Sequence, residues 1–431
     1  MDVIKINGGR RLSGDLEVPG SKNAALALLS ALVLAEGTSV FHKLPDVTDV
    51  KVKARLLEAF GTQVEWHEGT LFADATNLHD GMPDPDSVRS IRTSFYIFGP
   101  LLARLGRAEL PAPGGCQIGA RPLDFHLRGL AMLGAEIELV GGNFIGRAKK
   151  LRGAEIYLDF PSAGATQHIM ATATLAEGMT VIHNAASEPE VTALAYYLNK
   201  MGARIEGAGT SMITIQGVTS LSGAECYVPA DRVQAGTYLL AGAITGGDVT
   251  VRGISPTDQI ALITKLREAG ATVDYSGDWV RVRSEKRHSG IRVKTMPHPG
   301  FPTDLQQPIA AMLSLADGTS MVEETIYESR IGHIQELVRM GAKIRIEGRT
   351  SVIHGVKNLK GAVVHASDLR AGAALCLAGL AAEGETVVRN VHFIDRGYEN
   401  FEETLRSMGA DIERISSEAA TKGRVGLEEP S

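Results

Sequence analysis

Cys116, Arg121, Asp124 and His126 crowd into one stretch, PGGCQIGARPLDFH at 113–126, in a 431-residue chain that has only three cysteines. A thiol beside a guanidinium ionises below its free value of about 8.5, and can then serve as acid, base or nucleophile near neutral pH. Proline and paired glycines exclude a helix or a central strand, so the segment is expected to be a surface loop able to move over a cleft. The alternative is a small buried apolar residue, the ordinary state of an unpaired cysteine. That alternative is the expectation for Cys226 and Cys376, which stand inside apolar strand and helix patterns. Asp124 and His126 admit both a catalytic and a structural reading, and their spacing does not choose between them.

Several cations stand at the ends of elements rather than on solvated helix faces. Lys22 follows PGS and precedes AALALLSALVLA, so an anion there would meet an ammonium together with the open N–H groups of a helix start. Ser21 or Asn23 can cap that helix. Arg92 lies in SIRTSFYIFG, Arg121 in GARPLD, Arg330 in YESRIGH, Arg370 in SDLRAG and Arg396 in FIDRGYE. One such arginine is ordinarily a surface charge, but several in equivalent places of a repeat can converge on one anionic ligand, because the guanidinium fork matches carboxylate and phosphate oxygens. Asp304, in HPGFPTDLQQP between Pro302 and Pro308, reads either as the N-cap of the following helix or as a general base held in a stiff loop.

The elements that must position these residues repeat. An amphipathic run closing on Gly-Ala or Gly-Thr and followed by alternating apolar residues recurs around Gly61, Gly134, Gly202, Gly270, Gly341 and Gly409. Interleaved with it is a more apolar helix pattern closing on Gly and entering a strand, as in LALLSALVLAEGTSVF and LCLAGLAAEGETVV. Both patterns occur six times at a spacing of roughly 70 residues, which marks a repeat architecture. In both, the glycine is expected to stop a helix by entering the left-handed region. Each unit is predicted to be an α/β module of alternating strands and helices, with the Ala/Leu-rich helices packed inside. Similar joints, VPGSKN at 18–23 and VPADRV at 228–233, divide the chain into a first globe of residues 22–229 and a second, discontinuous one of 1–21 and 230–415. A cleft is expected between them, with Lys22 and Arg232 near its hinge. The polar stretch 416–431 is expected to be disordered.

Composition narrows the partners. A formal net charge of -6 with a pI near 6.1 gives no bulk electrostatic reason to expect nucleic acid. No apolar run reaches the roughly 20 residues of a membrane span, and the N-terminus lacks the apolar core of a signal peptide, so a cytoplasmic protein without membrane insertion is expected. Three widely spaced cysteines suggest neither a disulfide framework nor a metal site.

SKNA at 21–24, PGGCQIGARPLDFH, PSAGATQ at 161–167, FPTD at 301–304, DLRAG and IDRGYE together resemble the UDP-N-acetylglucosamine 1-carboxyvinyltransferase family of enolpyruvyl transferases, in order, from about residue 1 to 415. The resemblance implies a two-domain inside-out α/β barrel, each domain of three βαβαββ units. It implies transfer of the enolpyruvyl group of phosphoenolpyruvate to the 3-hydroxyl of UDP-N-acetylglucosamine with release of phosphate, the first committed step of peptidoglycan synthesis. Lys22, Asn23, Arg121, Arg330, Arg370 and Arg396 would hold phosphoenolpyruvate. Cys116 would protonate its methylene carbon and form a phospholactoyl adduct. Arg92, Arg121, Pro122, Leu123, Asp124, Phe125, Ser162, Ala163, Gly164, Asp304 and Ile326 would contact the nucleotide sugar. Cys116, Asp304, Lys22 and Arg396 would carry the catalysis. Partners would be these two small molecules alone, with no metal or organic cofactor, and a monomer is compatible with the scheme. Some family members have a lysine where this chain has Phe160, which removes one cationic contact to the diphosphate. Asp304 would suit its role as base if burial raises its pKa from about 3.9. Water would hydrolyse the activated intermediate, so closure of the cleft under the Cys116 loop is expected. The sibling enzymes that make 5-enolpyruvylshikimate 3-phosphate lack the loop cysteine and carry a GNxGT-type stretch that is absent here. A non-catalytic UDP-sugar-binding paralogue would be expected to have lost Lys22, Cys116, Asp304 or Arg396, and all four are present.

Overall fold

The computed structural model describes residues 2–114 and 123–416. The chain divides into two compact units. One comprises residues 19–114 and 123–231, the other residues 2–18 and 232–416.

In the 19–231 unit, the strand Thr38–His42 runs parallel to the short edge strand Glu225–Tyr227 and antiparallel to Thr70–Asp74, which in turn pairs with Gln63–His67. The sheet Glu155–Tyr157, Met179–His183, Met212–Gln216, Arg204–Glu206 repeats that order and those directions. The middle repeat departs from the expected βαβαββ pattern. Among the described residues its sheet has three strands, Arg107–Pro111, Asn143–Arg147 and Glu136–Val140, without the short edge strand. The residues before its first helix, TNLHDGMPD, contain Gly81 and Pro83, Pro85 opens the helix itself, and proline cannot donate to a ladder. Asp84 there instead caps the helix Pro85–Ser90 through the Ser87 N–H at 2.8 Å.

The 2–18/232–416 unit carries three four-stranded sheets of the same design. Strand Ser13–Glu17 lies parallel to Asp248–Arg252, and Val3–Asn7 lies between Glu385–Arg389 and Asp411–Ile415, antiparallel to both. Alternation sets each face. Val249 and Val251 point inward opposite Val282 and Val280, and all four are fully buried. On the outer face Asp248 pairs with Arg281 at 2.6 Å and Asp15 with Arg252 at 2.5 Å. Sheets therefore lie outside and helices inside. The helix Leu369–Ala381 is buried along all but its last residue, Gln306–Leu313 along its whole length and Arg232–Ile244 from Val233 onward. Such helices are apolar round most of their surface, with Gln234, Gln306, Gln307 and Arg370 among the buried polar exceptions. Close packing needs small residues: a Cβ at Gly236 would stand 2.5 Å from the Leu305 side chain.

The glycines of the first repeated pattern all have positive φ, from 86° at Gly61 to 108° at Gly202, and follow the amphipathic helices as expected. The second pattern needs a correction. Gly106 caps the helix Phe98–Leu105, but Gly37, Gly178, Gly318 and Gly384 stand beyond their helices, in the turn that feeds the next strand. Positive φ is required there to reverse the chain and not to end the helix. Cys226 and Cys376 are buried, and burial raises both thiol pKa values, that of Cys226 to about 11.

Candidate active site

In the 19–231 unit, Ser21 is the residue that caps the helix Lys22–Ala31, accepting the Ala24 N–H at 3.3 Å. Lys22 opens that helix. It is 7% exposed, its backbone N–H donates to Asp231 at 3.1 Å, and its ammonium pairs with Asp49 at 2.7 Å. Asp49, itself buried, comes from the first turn of the helix Thr48–Glu58. A lysine fixed this way is a positioned charge and not a solvated one. Asn23 is half-buried one residue on.

Arg92 opens the 3₁₀ turn Arg92–Ile97. That turn sets its Phe95 and Tyr96 rings against a buried histidine pair. Nδ1 of His126 lies 3.0 Å from Nδ1 of His168, and Nε2 of His168 accepts the Gly99 N–H at 2.8 Å. That acceptance places the His168 proton on Nδ1, so His168 donates to His126. Burial, reinforced by Arg92, pushes the His126 pKa down to about 3, and burial, His126 and Lys53 push His168 well below its ordinary value. The structural reading of His126 therefore holds: it is a neutral core residue. Asp124 begins the helix Asp124–Met132, exposed in its first turn, where a carboxylate complements the helix dipole. Leu123 occupies the N-cap position without a side-chain hydrogen bond, and Phe125 is half-buried, with the Arg128 guanidinium 5.5 Å from its ring.

Ser162 caps the helix Ala163–Ala173 through the Ala165 N–H at 3.3 Å. Gly164 permits close contact with the Arg92–Ile97 turn, since a Cβ there would stand 2.1 Å from the Tyr96 hydroxyl. Phe160, just ahead, is 37% exposed. Arg128 reaches this segment, pairing with Asp159 at 2.8 Å and donating to the Tyr157 carbonyl at 3.1 Å. Cys116, Arg121 and Pro122 lie outside the described residues.

In the other unit, Asp304 sits in the turn Thr303–Leu305 and does not cap the helix that follows. Its carboxylate binds Arg330 at 2.9 Å and faces Arg370 at 3.8 Å, both arginine side chains being almost wholly buried. Burial alone would raise the Asp304 pKa, but Arg330, Arg370 and Arg232 outweigh it and hold the carboxyl well below the usual range. The expectation of a base strengthened by burial is thus overturned, because the surroundings that bury it are cationic. Arg396 closes the turn Val391–Arg396 and is half-buried. Ile326 is half-buried, and its N–H donates to Glu324 at 2.8 Å.

Sequence reasoning missed Glu324. This buried carboxylate accepts from the hydroxyls of Thr295 at 2.9 Å and Thr303 at 2.8 Å and from the N–H groups of Ile326 and Tyr327, tying the Asp304 turn to the Ile326 segment. Asp49 was missed as well; its one available signal was an acidic residue in a helix first turn. Among the described residues no group of three or more His, Cys, Asp or Glu side chains is arranged to hold a metal ion, and no helix is long and apolar enough to cross a membrane.

Residues 6–405 match the family model described as EPSP synthase (3-phosphoshikimate 1-carboxyvinyltransferase). The chain is 48% identical over 422 residues to UDP-N-acetylglucosamine 1-carboxyvinyltransferase 3 of Symbiobacterium thermophilum, covering 97% of this chain and 100% of that one. It is also 48% identical over 415 residues to the UDP-N-acetylglucosamine 1-carboxyvinyltransferase of Desulfatibacillum aliphaticivorans, covering 96% and 100%. Among solved structures, the enolpyruvyl transferase NikO from Streptomyces tendae superposes with a TM-score of 0.87 at 24% identity over 96% of this chain and 99% of that one. An EPSP synthase from Acinetobacter baumannii superposes with a TM-score of 0.75 at 20% identity over 96% and 100%. At those identities the two structures establish the fold alone.

Proposed function

The chain belongs to the EPSP synthase family, and we propose that its acceptor is the one its near-half-identical relatives are named for: it transfers the enolpyruvyl group of phosphoenolpyruvate to the 3-hydroxyl of UDP-N-acetylglucosamine and releases phosphate. The observation that carries this reading is 48% identity running the full length of those relatives. The product would commit the sugar to peptidoglycan synthesis. Both substrates are small phosphorylated metabolites, in keeping with a cytoplasmic enzyme, and one chain supplies every residue the scheme requires.

The chemistry assigns the roles. Protonating the methylene carbon of phosphoenolpyruvate leaves positive charge on C2, the sugar hydroxyl adds there as it loses its proton, and the C–O bond to phosphate then breaks while the methyl group gives a proton back. Cys116 is the proposed acid. Lys22 and Asn23, with Arg121, meet the phosphate, and the Lys22–Asp49 pair supports this by holding the ammonium at a helix start. Arg330, Arg370 and Arg396 meet the carboxylate. Arg92, Arg121, Pro122, Leu123, Asp124, Phe125, Ser162, Ala163, Gly164 and Ile326 hold the nucleotide sugar, and the Arg128–Asp159 pair puts a guanidinium beside Phe160, where the lysine of other members is missing.

Asp304 is the proposed base. Between two arginines it is ionised but weakly basic. When a substrate carboxylate takes a share of the Arg330 and Arg370 charge, Asp304 gains basicity at the moment a proton must be accepted.

Phosphate release with phosphoenolpyruvate decides the acceptor. Turnover with UDP-N-acetylglucosamine and none with shikimate 3-phosphate is expected; the reverse preference would assign the chain to the sibling reaction.

A further inference from the structure

Lys53 is fully buried, on the helix Thr48–Glu58, and has no task in the scheme above. A solvent-excluded lysine is rare, because taking an ammonium out of water is costly unless it is well partnered. Its Nζ donates to the backbone carbonyl of Thr93 at 2.5 Å. Thr93 is the second residue of the turn that Arg92 opens, and the Ser94 hydroxyl fastens the same turn to the carbonyls of Val88 at 2.8 Å and Ile91 at 2.7 Å. Burial lowers the Lys53 pKa well below its ordinary value. A donor is nonetheless kept in either protonation state, since –NH₃⁺ and –NH₂ both carry N–H groups. An apolar residue of similar length would fill the same volume without the desolvation cost, so the amine is there for the bond it makes.

One turn earlier on the same helix face, Asp49 holds Lys22. We propose that Lys53 is a positioning residue for Arg92, and through it for the nucleotide-sugar acceptor, so that one helix sets two substrate-holding cations: Lys22 through Asp49 and Arg92 through Lys53. The inference rests on the acceptor assignment made above. Without Lys53 the Thr93 carbonyl loses its amine donor and the turn that aims Arg92 loosens, while the Asp49–Lys22 pair stays in place.

The test is the Lys53→Met variant of the full chain, assayed for phosphate release with each substrate varied in turn. The KM for UDP-N-acetylglucosamine should rise about five- to tenfold, the worth of one buried hydrogen bond. kcat and the KM for phosphoenolpyruvate should stay within about twofold. In an Arg92→Ala background the same substitution should add little, because the residue it positions is gone. An unchanged acceptor KM, an equal rise in both KM values, or a full effect persisting without Arg92 would each overturn the proposal. Should Lys53→Met not accumulate as folded protein, Lys53→Leu, which likewise removes the N–H donor, is read by the same criteria. Wild-type turnover with UDP-N-acetylglucosamine is measured first, so a failure of the acceptor assignment is distinguished from a failure of this one.

Discussion

Asp304 and Asp368 occupy matching places in consecutive repeats, each followed by leucine, but they are used differently. Asp368 caps the helix Leu369–Ala381, accepting the N–H groups of Arg370 at 2.9 Å and Ala371 at 3.0 Å, whereas Asp304 turns its carboxylate to Arg330 at 2.9 Å. The released carboxylate is the one proposed as base. Asp304→Ala should therefore lower kcat by roughly 10² or more, the range of a positioned general base. Steady-state phosphate release checks this, and a wild-type rate would reduce Asp304 to a structural counter-ion.

The same clamp gives a pH dependence of stability. The Asp304 pKa is lower in the folded protein than in the unfolded chain, so the pairing contributes fully above the unfolded value of about 3.9 and is lost as pH falls below it towards the folded value. The difference in Tm between wild type and Asp304→Asn should be largest near neutrality and shrink as pH falls through 4 towards 3. A calorimetric series over that range measures it, and a difference independent of pH would contradict the assignment.

Cys116→Ser should abolish turnover and prevent alkylation by the epoxide fosfomycin. Cys226 and Cys376 should remain unlabelled in both proteins, because both are buried and their pKa values are raised by burial. Intact-mass spectrometry gives the count of adducts; one adduct on wild type and none on the variant is the expected result.

Arg128→Ala separates binding from stability. The Arg128–Asp159 pair is solvent-exposed, and such pairs contribute about 0–1 kcal/mol to folding. Tm should hardly move, whereas the KM for UDP-N-acetylglucosamine should rise by about threefold or more if the guanidinium substitutes for the lysine missing at Phe160. An unchanged KM would leave Arg128 as a link between its helix and the Tyr157–Asp159 segment only.

What could be read from the sequence was local. The glycine after each amphipathic helix is legible because the left-handed backbone at Gly134 or Gly202 is required by the residues on either side of it. Ser21 was readable as a cap because a hydroxyl directly ahead of an apolar run can accept the helix's open N–H groups, whereas the resemblance names Ser162 only as a nucleotide-sugar contact. The partners that give those elements a chemical use were not legible. Nothing near Lys22 in the chain announces Asp49, and FPTDLQQP and ASDLRAGA do not reveal which aspartate caps, since Arg330 lies in a different segment. His126 was ambiguous beside Cys116 because only packing against His168 makes it a neutral core residue. The missing edge strand of the second repeat was written in Gly81, Pro83 and Pro85, but the regularity of the other five copies masked it.

The strand Val3–Asn7 is interior to its sheet, hydrogen-bonded on one side to Glu385–Arg389 and on the other to Asp411–Ile415. Val3–Asn7 therefore leave the ribosome long before either neighbour and cannot take their interior place until both Glu385–Arg389 and Asp411–Ile415 have been made. Deleting that one strand would split a sheet down the middle, unpairing two neighbours at once, a far heavier injury than trimming a margin.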